Sequence, residues 1–403
     1  GEANTPRGPR RPLRPHGSTP PPAEDAYTQA LQLYKRVEDS LGEANTLQAL
    51  GDLYVRTDRL APAEDAYTQA LQLYKRVEDS LGEANTRKAL GDLYVRTDRL
   101  APLRDAYTQA LQLYKRVEPA RPTRPARNPR RTRPPPKPPP PPPALGEANT
   151  LQALGDLYVR TARLAPAEDA YTQALQLYKR VEDSLGEANT LQALGDLYVR
   201  TARLAPAEDA YTQALQLYKR MEDSLGEANT LQALGDLYVR TDRLAPAEDA
   251  YTQALQLYKR VEATLGEANT LQALGDLYVR TARLAPAEDA YTQALQLFQR
   301  VENSLGEANT LQAMGRFALS QRLVPEALGL YRRAEALYRT IHNMRGLSNV
   351  LAEEAKCHAM LGDIAGAIKA AQEALRIGQE IGNGYAVDWA NEVLEALRPE
   401  TQG

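Results

Sequence analysis

Polar side chains that can donate and accept hydrogen bonds recur along this chain at a constant interval. Asn and Gln offer both a donor and an acceptor, whereas Asp and Arg select for charge, so a ladder of such residues can hold an extended peptide by its backbone amides. The competing interpretation is a helix face that contacts only solvent. The candidate contact residues are Asn149, Gln152, Asp156, Arg160, Asn189, Gln192, Asp196, Arg200, Asn229, Gln232, Asp236, Arg240, Asn269, Gln272, Asp276 and Arg280.

The residue types that enzymes use for nucleophilic and acid–base chemistry are sparse here. The three histidines, His16, His342 and His358, are scattered, and Cys357 is the single cysteine. Cys357 and His358 are adjacent, but successive helical positions point about 100° apart, so adjacency alone does not make a nucleophile and base pair. The sequence contains no glycine-rich phosphate loop and no cluster of metal ligands. We therefore expect no enzymatic activity, no cofactor and no metal.

The candidate contact residues belong to a repeated unit that opens with Leu-Gly-Glu-Ala-Asn-Thr. Successive units follow a period of 40, except that the numbers of Leu81 and Leu145 differ by 64. Internal repetition with such a period predicts stacked supersecondary units that bury a continuous core. The opening leucines are Leu41, Leu81, Leu145, Leu185, Leu225, Leu265 and Leu305.

The first half of each unit has the pattern of an amphipathic helix. Leu47, Leu50, Gly51 and Tyr54 follow one another at spacings of one to four and share one face. We expect Gly51 to let another backbone approach closely. At about 100° per residue, the candidate contact residues of each unit fall on the opposite side.

The second half of each unit predicts another helix. Ser80 to Glu83 has the form of a capping box, which would start the first helix of the next unit. The second helix is predicted to open with Pro62, and Arg76 to Glu78 can continue it. Its buried face is predicted to consist of Ala63, Tyr67, Ala70 and Tyr74.

These residues carry a resemblance to the tetratricopeptide-repeat family, in the longer 40-residue variety of kinesin light chains and Pins-type adaptors. The closing proline of the family is absent, since Lys75 stands there. The resemblance implies an all-α, right-handed superhelical solenoid of helix-turn-helix repeats, with the candidate contact residues lining a concave groove. The signature positions are Leu47, Leu50, Gly51, Tyr54, Leu60, Ala63, Tyr67 and Ala70.

Composition and charge agree with a repeat protein that binds proteins or peptides. The chain has 43% hydrophobic residues and a net charge of −3, and two basic stretches mean that the rest is more acidic than the whole. An acidic surface repels phosphate, which argues against nucleic acid as a ligand. One cysteine and the lack of a long apolar run predict a cytoplasmic protein without membrane contact.

Two basic, proline-rich stretches, residues 6–21 and 119–144, interrupt the repeats. Such sequences do not form a packed helix and are predicted to be disordered or polyproline II. In the second stretch, Arg133, Pro136 and Pro139 fit the ligand pattern of an SH3 domain, and the proline run suits a WW domain. The alternative is a frameshift or retained intron, because a repeat helix read out of frame with GC-rich codons yields the sequence of residues 8–16.

Substitutions in the unit that begins at Leu81 predict a weak point in the array. Leu103 and Arg104 replace the Ala and Glu of the other units, and a large residue at a small position typically costs about 1 to 3 kcal/mol.

The predicted organisation is therefore a broken repeat or basic arm at 1–21, a repeat segment at 22–118, a disordered linker at 119–144, the main array at 145–383, and a capping helix and tail at 384–403. The predicted function is a scaffold that binds peptide or helical segments. The alternative is the sensor or autoinhibitory arm of a larger nucleotide-dependent signalling protein of the NACHT or NB-ARC type, present here as a fragment.

Overall fold

The computed structural model describes residues 22–117 and 143–397, and every regular element in these ranges is an α-helix. The predictions for residues 1–21, for 119–142 with Arg133, Pro136 and Pro139, and for 398–403 lie outside the described residues. The helices are α1 (Pro22–Arg36), α2 (Ser40–Arg56), α3 (Leu60–Arg76), α4 (Ser80–Arg96), α5 (Leu100–Arg116), α6 (Pro143–Arg160), α7 (Leu164–Val181), α8 (Ser184–Arg200), α9 (Leu204–Met221), α10 (Ser224–Arg240), α11 (Leu244–Arg260), α12 (Thr264–Arg280), α13 (Leu284–Arg300), α14 (Ser304–Ser320), α15 (Val324–Thr340), α16 (Met344–Met360), α17 (Ile364–Ile381) and α18 (Gly384–Ala396).

The chain divides into two compact units, each of which contains several of the 40-residue repeats. We call residues 1–217 the first unit and residues 218–403 the second unit. In each unit, a first helix and a second helix pack as a hairpin, and each hairpin packs on the next. This arrangement confirms the predicted all-α solenoid fold for each unit, whereas the domain boundaries drawn from the sequence stay predictions. No described helix has both the length and the apolar character needed to cross a membrane.

Each hairpin is held together by small residues of one helix and tyrosines of the other. Ala63 and Ala70 are fully buried, and Tyr67 and Tyr74 nearly so, which confirms the predicted buried face. Gly51 does admit a close neighbour, but this neighbour is a side chain and not a backbone: a Cβ at Gly51 would overlap the ring of Tyr67. The aromatic ring fills the gap that the missing side chain leaves.

The first helices begin one residue earlier than the capping box predicts. Asp79 is the N-cap of α4, and its Oδ1 accepts hydrogen bonds from the backbone N–H groups of Leu81 (3.1 Å) and Gly82 (3.0 Å). Ser80 is therefore the first helical residue, and the prediction that it caps the helix was wrong. Asp is among the best N-cap residues because its carboxylate satisfies otherwise unpaired backbone amides.

The second helices also differ in their bounds. α3 begins at Leu60, two residues before Pro62, and it ends at Arg76. Glu78 does not continue the helix, because its φ of 58° lies in the left-handed region. This conformation turns the chain so that the Asp79 N–H bonds the Tyr74 carbonyl at 3.0 Å, which satisfies an end of the helix.

The hairpin stack of the first unit continues across residues 118–142. Leu103 and Tyr107 of α5 form one buried cluster with Leu154 and Leu157 of α6. Leu103 is fully buried, so this large residue is accommodated at the interface between the two helices. α5 and α6 therefore pack as consecutive helices although residues 117–142 separate them in sequence.

The second unit ends in a shorter helix. α18 packs on both α16 and α17, and Ala386, Ala390 and Val393 form its buried side. Its role as the cap of the array stays a prediction.

Candidate functional site

The candidate contact residues lie on the first helix of each hairpin. In the first unit α2, α4, α6 and α8 contact one another in succession, and in the second unit α10, α12, α14, α16 and α18 do the same. Among the described residues, α3 makes no contact with α5, nor α11 with α13. The first helices are therefore closer together than the second helices. We call the solvent-facing side of the first helices in each unit the inner surface.

The aspartates of the inner surface accept hydrogen bonds from buried tyrosines. In the first unit Tyr171 donates its hydroxyl hydrogen to Asp156 Oδ1 at 2.6 Å, and Tyr211 donates to Asp196 Oδ1 at 2.5 Å. The same bond joins Tyr251 to Asp236 and Tyr291 to Asp276 in the second unit. The bond fixes one carboxylate oxygen of each aspartate. Sequence reasoning missed these tyrosine partners. A usable signal was present, because a tyrosine follows the aspartate by 15 residues in each of these four repeats.

The ionised form of three of these aspartates is disfavoured by their surroundings. Asp156, Asp196 and Asp276 all have a raised pKa because the surrounding protein reduces the hydration of the carboxylate, and the tyrosine hydrogen bond opposes this increase. Their side chains nevertheless remain accessible to solvent. A positively charged or hydrogen-bond-donating ligand would compensate for the lost hydration.

A second set of tyrosines holds the amide side chains. Tyr178 donates to Asn149 Oδ1 at 2.7 Å and lies 2.8 Å from Gln152 Oε1. Thr190 of the next hairpin also reaches Gln152 Oε1, at 3.4 Å. Because the tyrosine bonds the amide oxygen of Asn149, the amide NH₂ group is left to face solvent.

We call the Asn and Gln side chains of successive first helices the amide rows. Their hydrogen bonding to tyrosine is interrupted at one hairpin of the second unit. Asn229 and Gln232 accept from Tyr258 at 2.7 and 3.1 Å, but the corresponding residue of the next hairpin is Phe298, which has no hydroxyl group. Gln272 keeps a bond from Thr310 at 2.9 Å. Asn189 and Gln192 of the first unit have polar partners as well.

The arginines of the inner surface are of two kinds. Arg160 pairs with Asp98 at 2.6 Å, and Arg280 pairs with Asp242 at 2.9 Å. Where the preceding loop carries Ala in place of Asp, no such acid is present for Arg200 and Arg240. In the described part of the chain these two arginines form no ion pair within 4 Å, and we expect them to be the most available cations.

Most of the candidate residues therefore face the inner surface with one polar atom bonded internally and another turned outward. Internal hydrogen bonds keep the side chains in fixed positions, so these side chains lose less conformational entropy when a ligand binds. Contact of any one of them with a ligand stays a prediction.

The two residues considered for catalysis are engaged in the core. Cys357 is buried, and this burial raises the pKa of its thiol to about 11. His358 Nδ1 lies 2.7 Å from Asp363 Oδ2, which fixes the ring against the α16–α17 turn. Within residues 22–117 and 143–397, no three His, Cys, Asp or Glu side chains form a group that could hold a metal ion.

Similarity to known proteins points to one family. Sequence profiles described as tetratricopeptide repeat match residues 23–76 and 146–220, and residues 228–260. No match to a curated protein sequence is found.

Three solved structures resemble the chain in fold. They are apo RapI (14% identity, TM-score 0.56, 75% of this chain and 99% of that one), the apo quorum sensor NprR from B. thuringiensis (14%, 0.53, 91% and 100%), and BtubC (BKLC) from P. vanneervenii (20%, 0.50, 55% and 92%). At these identities the likeness concerns the fold alone. Together with the sequence matches and the helical hairpins described above, this likeness in fold confirms the resemblance read from the sequence: the matched residues of this chain are tetratricopeptide repeats.

Proposed function

We propose that this protein is a scaffold that binds extended peptide segments of partner proteins along the inner surface of its repeats. The observation that supports this proposal most directly is the hydrogen bonding of the inner-surface side chains. Tyr171 and Tyr178 hold Asp156 and Asn149 at their oxygens, so the same outward groups recur in successive hairpins at fixed positions. Such preorganised donors and acceptors suit the backbone of an extended chain.

The spacing of the rows sets the pitch of the ligand. Packed helices lie about 8 to 10 Å apart, and an extended chain advances about 3.3 Å per residue. One hairpin therefore corresponds to about three ligand residues. Asn NH₂ groups bond ligand carbonyls, and the carboxylates of the aspartates bond ligand N–H groups or cationic side chains.

The experiment is a selection from a random peptide library on the full-length protein, followed by binding measurements on charge variants. Arg200→Glu and Arg240→Glu reverse the charge of the two candidate arginines that form no ion pair within 4 Å among the described residues. Gln173→Glu and Gln253→Glu place the same acid on exposed positions of second helices and serve as controls for the introduced acid. We expect only the inner-surface variants to change the affinity of selected peptides, by about threefold or more.

The opposite result contradicts the proposal. If the selected peptides bind the inner-surface variants as well as the wild type, but lose affinity for Gln173→Glu or Gln253→Glu, the second helices carry the binding site. If the library yields no peptide that binds the folded protein, peptide recognition itself is wrong.

Docking of an SH3 or WW domain at Arg133, Pro136 and Pro139 is a separate proposal, supported by the sequence pattern alone. Its test is a pull-down with and without Arg133→Ala. Equal capture of SH3 domains by both forms would count against it.

A further inference from the structure

The row of aspartates on the inner surface changes charge within the second unit. Asp236 of α10 and Asp276 of α12 are followed, at the same position of the next two first helices, by Arg316 of α14 and Lys356 of α16. We call these four residues the middle row. The row one turn later also changes, from two arginines to two uncharged residues; it consists of Arg240, Arg280, Ser320 and Met360.

The exchange of Asp for Arg leaves the surroundings of Arg316 unlike those of the other hairpins. Tyr331 occupies the place of Tyr291, but the aspartate that would accept its hydrogen bond is gone, and its buried hydroxyl group has no partner in the described part of the chain. Arg316 instead contacts Glu353 Oε1 at 3.3 Å, with its own side chain half exposed and that of Glu353 only 4% exposed. This contact is long, and Arg316 also lies close to Tyr385 and Asp276. The guanidinium group nevertheless has five N–H donors, and the side chain stays half exposed.

The neighbouring cation lies against aromatic rings. Lys356 Nζ is 4.4 Å from the centre of the Trp389 ring, and Trp389 lies 5.7 Å from Tyr385, centre to centre. Tyr385 is partly exposed and donates its hydroxyl hydrogen to Glu353 Oε1 at 3.1 Å. At this end of the inner surface, Arg316 therefore lies beside the buried Glu353 carboxylate, and Lys356 lies over the Trp389 ring.

We propose that Arg316 and Lys356 form an anion-binding subsite for acidic side chains of an extended peptide. The cationic side chains of the same peptide face Asp236 and Asp276. This inference rests on the proposed function, because it assigns a charge pattern to the ligand of the same surface. The proposal is supported by the order of charges in the middle row, which has two acidic residues followed by two basic ones. A ligand with complementary charges has two basic side chains followed by two acidic ones. With about three ligand residues per hairpin, the charges of the ligand lie three residues apart.

Two synthetic peptides of equal composition test the charge order. The block peptide is Lys-Gly-Gly-Lys-Gly-Gly-Glu-Gly-Gly-Glu and the alternating peptide is Lys-Gly-Gly-Glu-Gly-Gly-Lys-Gly-Gly-Glu, both acetylated and amidated. Binding to the full-length protein is followed by isothermal titration and by the emission of Trp389, the single tryptophan of the chain. We expect the block peptide to bind about fivefold more tightly, to shift Trp389 emission, and to lose its advantage as ionic strength rises.

Variants assign the preference to the subsite. Arg316→Gln and Lys356→Gln should each reduce the preference for the block peptide by about threefold, whereas Lys259→Gln, on the second helix α11, should leave it unchanged. Arg316→Gln removes the partner of buried Glu353, so the double variant Arg316→Gln with Glu353→Gln provides a form without an unpaired buried charge. Lys356→Gln tests the subsite independently of Glu353.

Failure of this inference is distinguishable from failure of the proposed function. Equal affinity for the two peptides overturns the anion-binding subsite while inner-surface binding stands. A preference for the block peptide that survives in both Arg316→Gln and Lys356→Gln does the same. If neither these peptides nor any library peptide binds the folded protein, both proposals are overturned.

Discussion

At the scale of single residues, tyrosine hydroxyl groups connect the core of each hairpin to the inner surface. The hydroxyl of Tyr258 bonds Asn229 and Gln232, whereas Phe298 presents only carbon to the same place in the next hairpin. The chain thus contains its own comparison between a hydroxylated and a non-hydroxylated ring at equivalent buried positions.

Replacement of Phe298 by Tyr should stabilise the second unit. The new hydroxyl group would reach Asn269 and Gln272, and a hydrogen bond of this kind contributes about 0.5 to 1.5 kcal/mol. Tyr258→Phe is the mirror control and should lower the free energy of unfolding by a similar amount. Urea unfolding followed by circular dichroism measures both. A Phe298→Tyr protein no more stable than the wild type would mean that the ring position, and not the hydroxyl, sets the geometry of the amide rows.

A buried acid on α16 predicts a pH dependence of stability. Glu354 is 5% exposed, and its Oε1 has no partner among the described residues. Burial, followed by the nearby charge of Glu335, raises its pKa from 4.5 to about 8. The folded protein therefore holds this proton more tightly than the unfolded chain does, and wild-type stability falls as the pH rises from 4.5 through about 8.

Glu354→Gln removes the titrating group. We expect the free energy of unfolding of Glu354→Gln to increase relative to that of the wild type between pH 5 and pH 8. The increase should be at most about 1.4 kcal/mol per pH unit. Glu392→Gln, at an exposed position of α18, should show no such growth. A constant difference between Glu354→Gln and wild type across this range would show that Glu354 is ionised throughout.

At the scale of helices, a repeated contact joins several pairs of successive hairpins. In the first unit Arg203 lies 4.3 Å from the centre of the Tyr198 ring and pairs with Glu168 of the preceding hairpin at 2.7 Å. We call this set the clamp. At the α5–α6 junction Arg163 keeps its place, 4.8 Å from the Tyr158 ring, but Arg104 stands where the acid of the clamp should be.

Arg104→Glu should complete the missing clamp. It places an acid at the position from which Glu168 pairs in the next junction, and the gain should be about 0.5 to 1 kcal/mol because the pair is largely exposed. The reverse change, Glu168→Arg, should destabilise the α7–α8 junction by a similar amount. Hydrogen exchange of α5 and α6 reports the local effect. Unchanged protection in Arg104→Glu would place the weak point at Leu103 or elsewhere.

Much of this element-level organisation could be predicted from the sequence, since periodic apolar residues fix which side of each helix is buried. The buried Ala and Tyr positions and the outward-facing polar rows both follow from that periodicity. The hydrogen bonds to Asp156 and Asn149 could not, because they depend on which atoms meet when two helices cross. The caps were mispredicted for a local reason: Asp79 and Ser80 are both good cap residues, and only the backbone geometry decides between them.

At the scale of the whole chain, α5 packs directly on α6, and we predict that the repeat stack forms without residues 119–142. Removal of this stretch gives Leu81 and Leu145 the same separation as the opening leucines of the other units. Adding Pro143→Asp and Ala144→Ser to the deletion also restores the N-cap aspartate of the other hairpins, as at Asp79. We call this protein the closed variant.

We expect the closed variant to keep the helical content and the inner-surface binding of the parent and to be more stable. Shortening the connection between α5 and α6 to a few residues lowers the entropy of loop closure by about 2 kcal/mol, and the restored cap contributes about 1 kcal/mol. A deletion of Asp65 to Lys88, which is equally long but removes parts of two hairpins, is the control and should unfold the first unit. If the closed variant instead loses helicity or melts earlier, then the residues between α5 and α6 contribute contacts to the first unit, and the repeats on either side require them in order to pack.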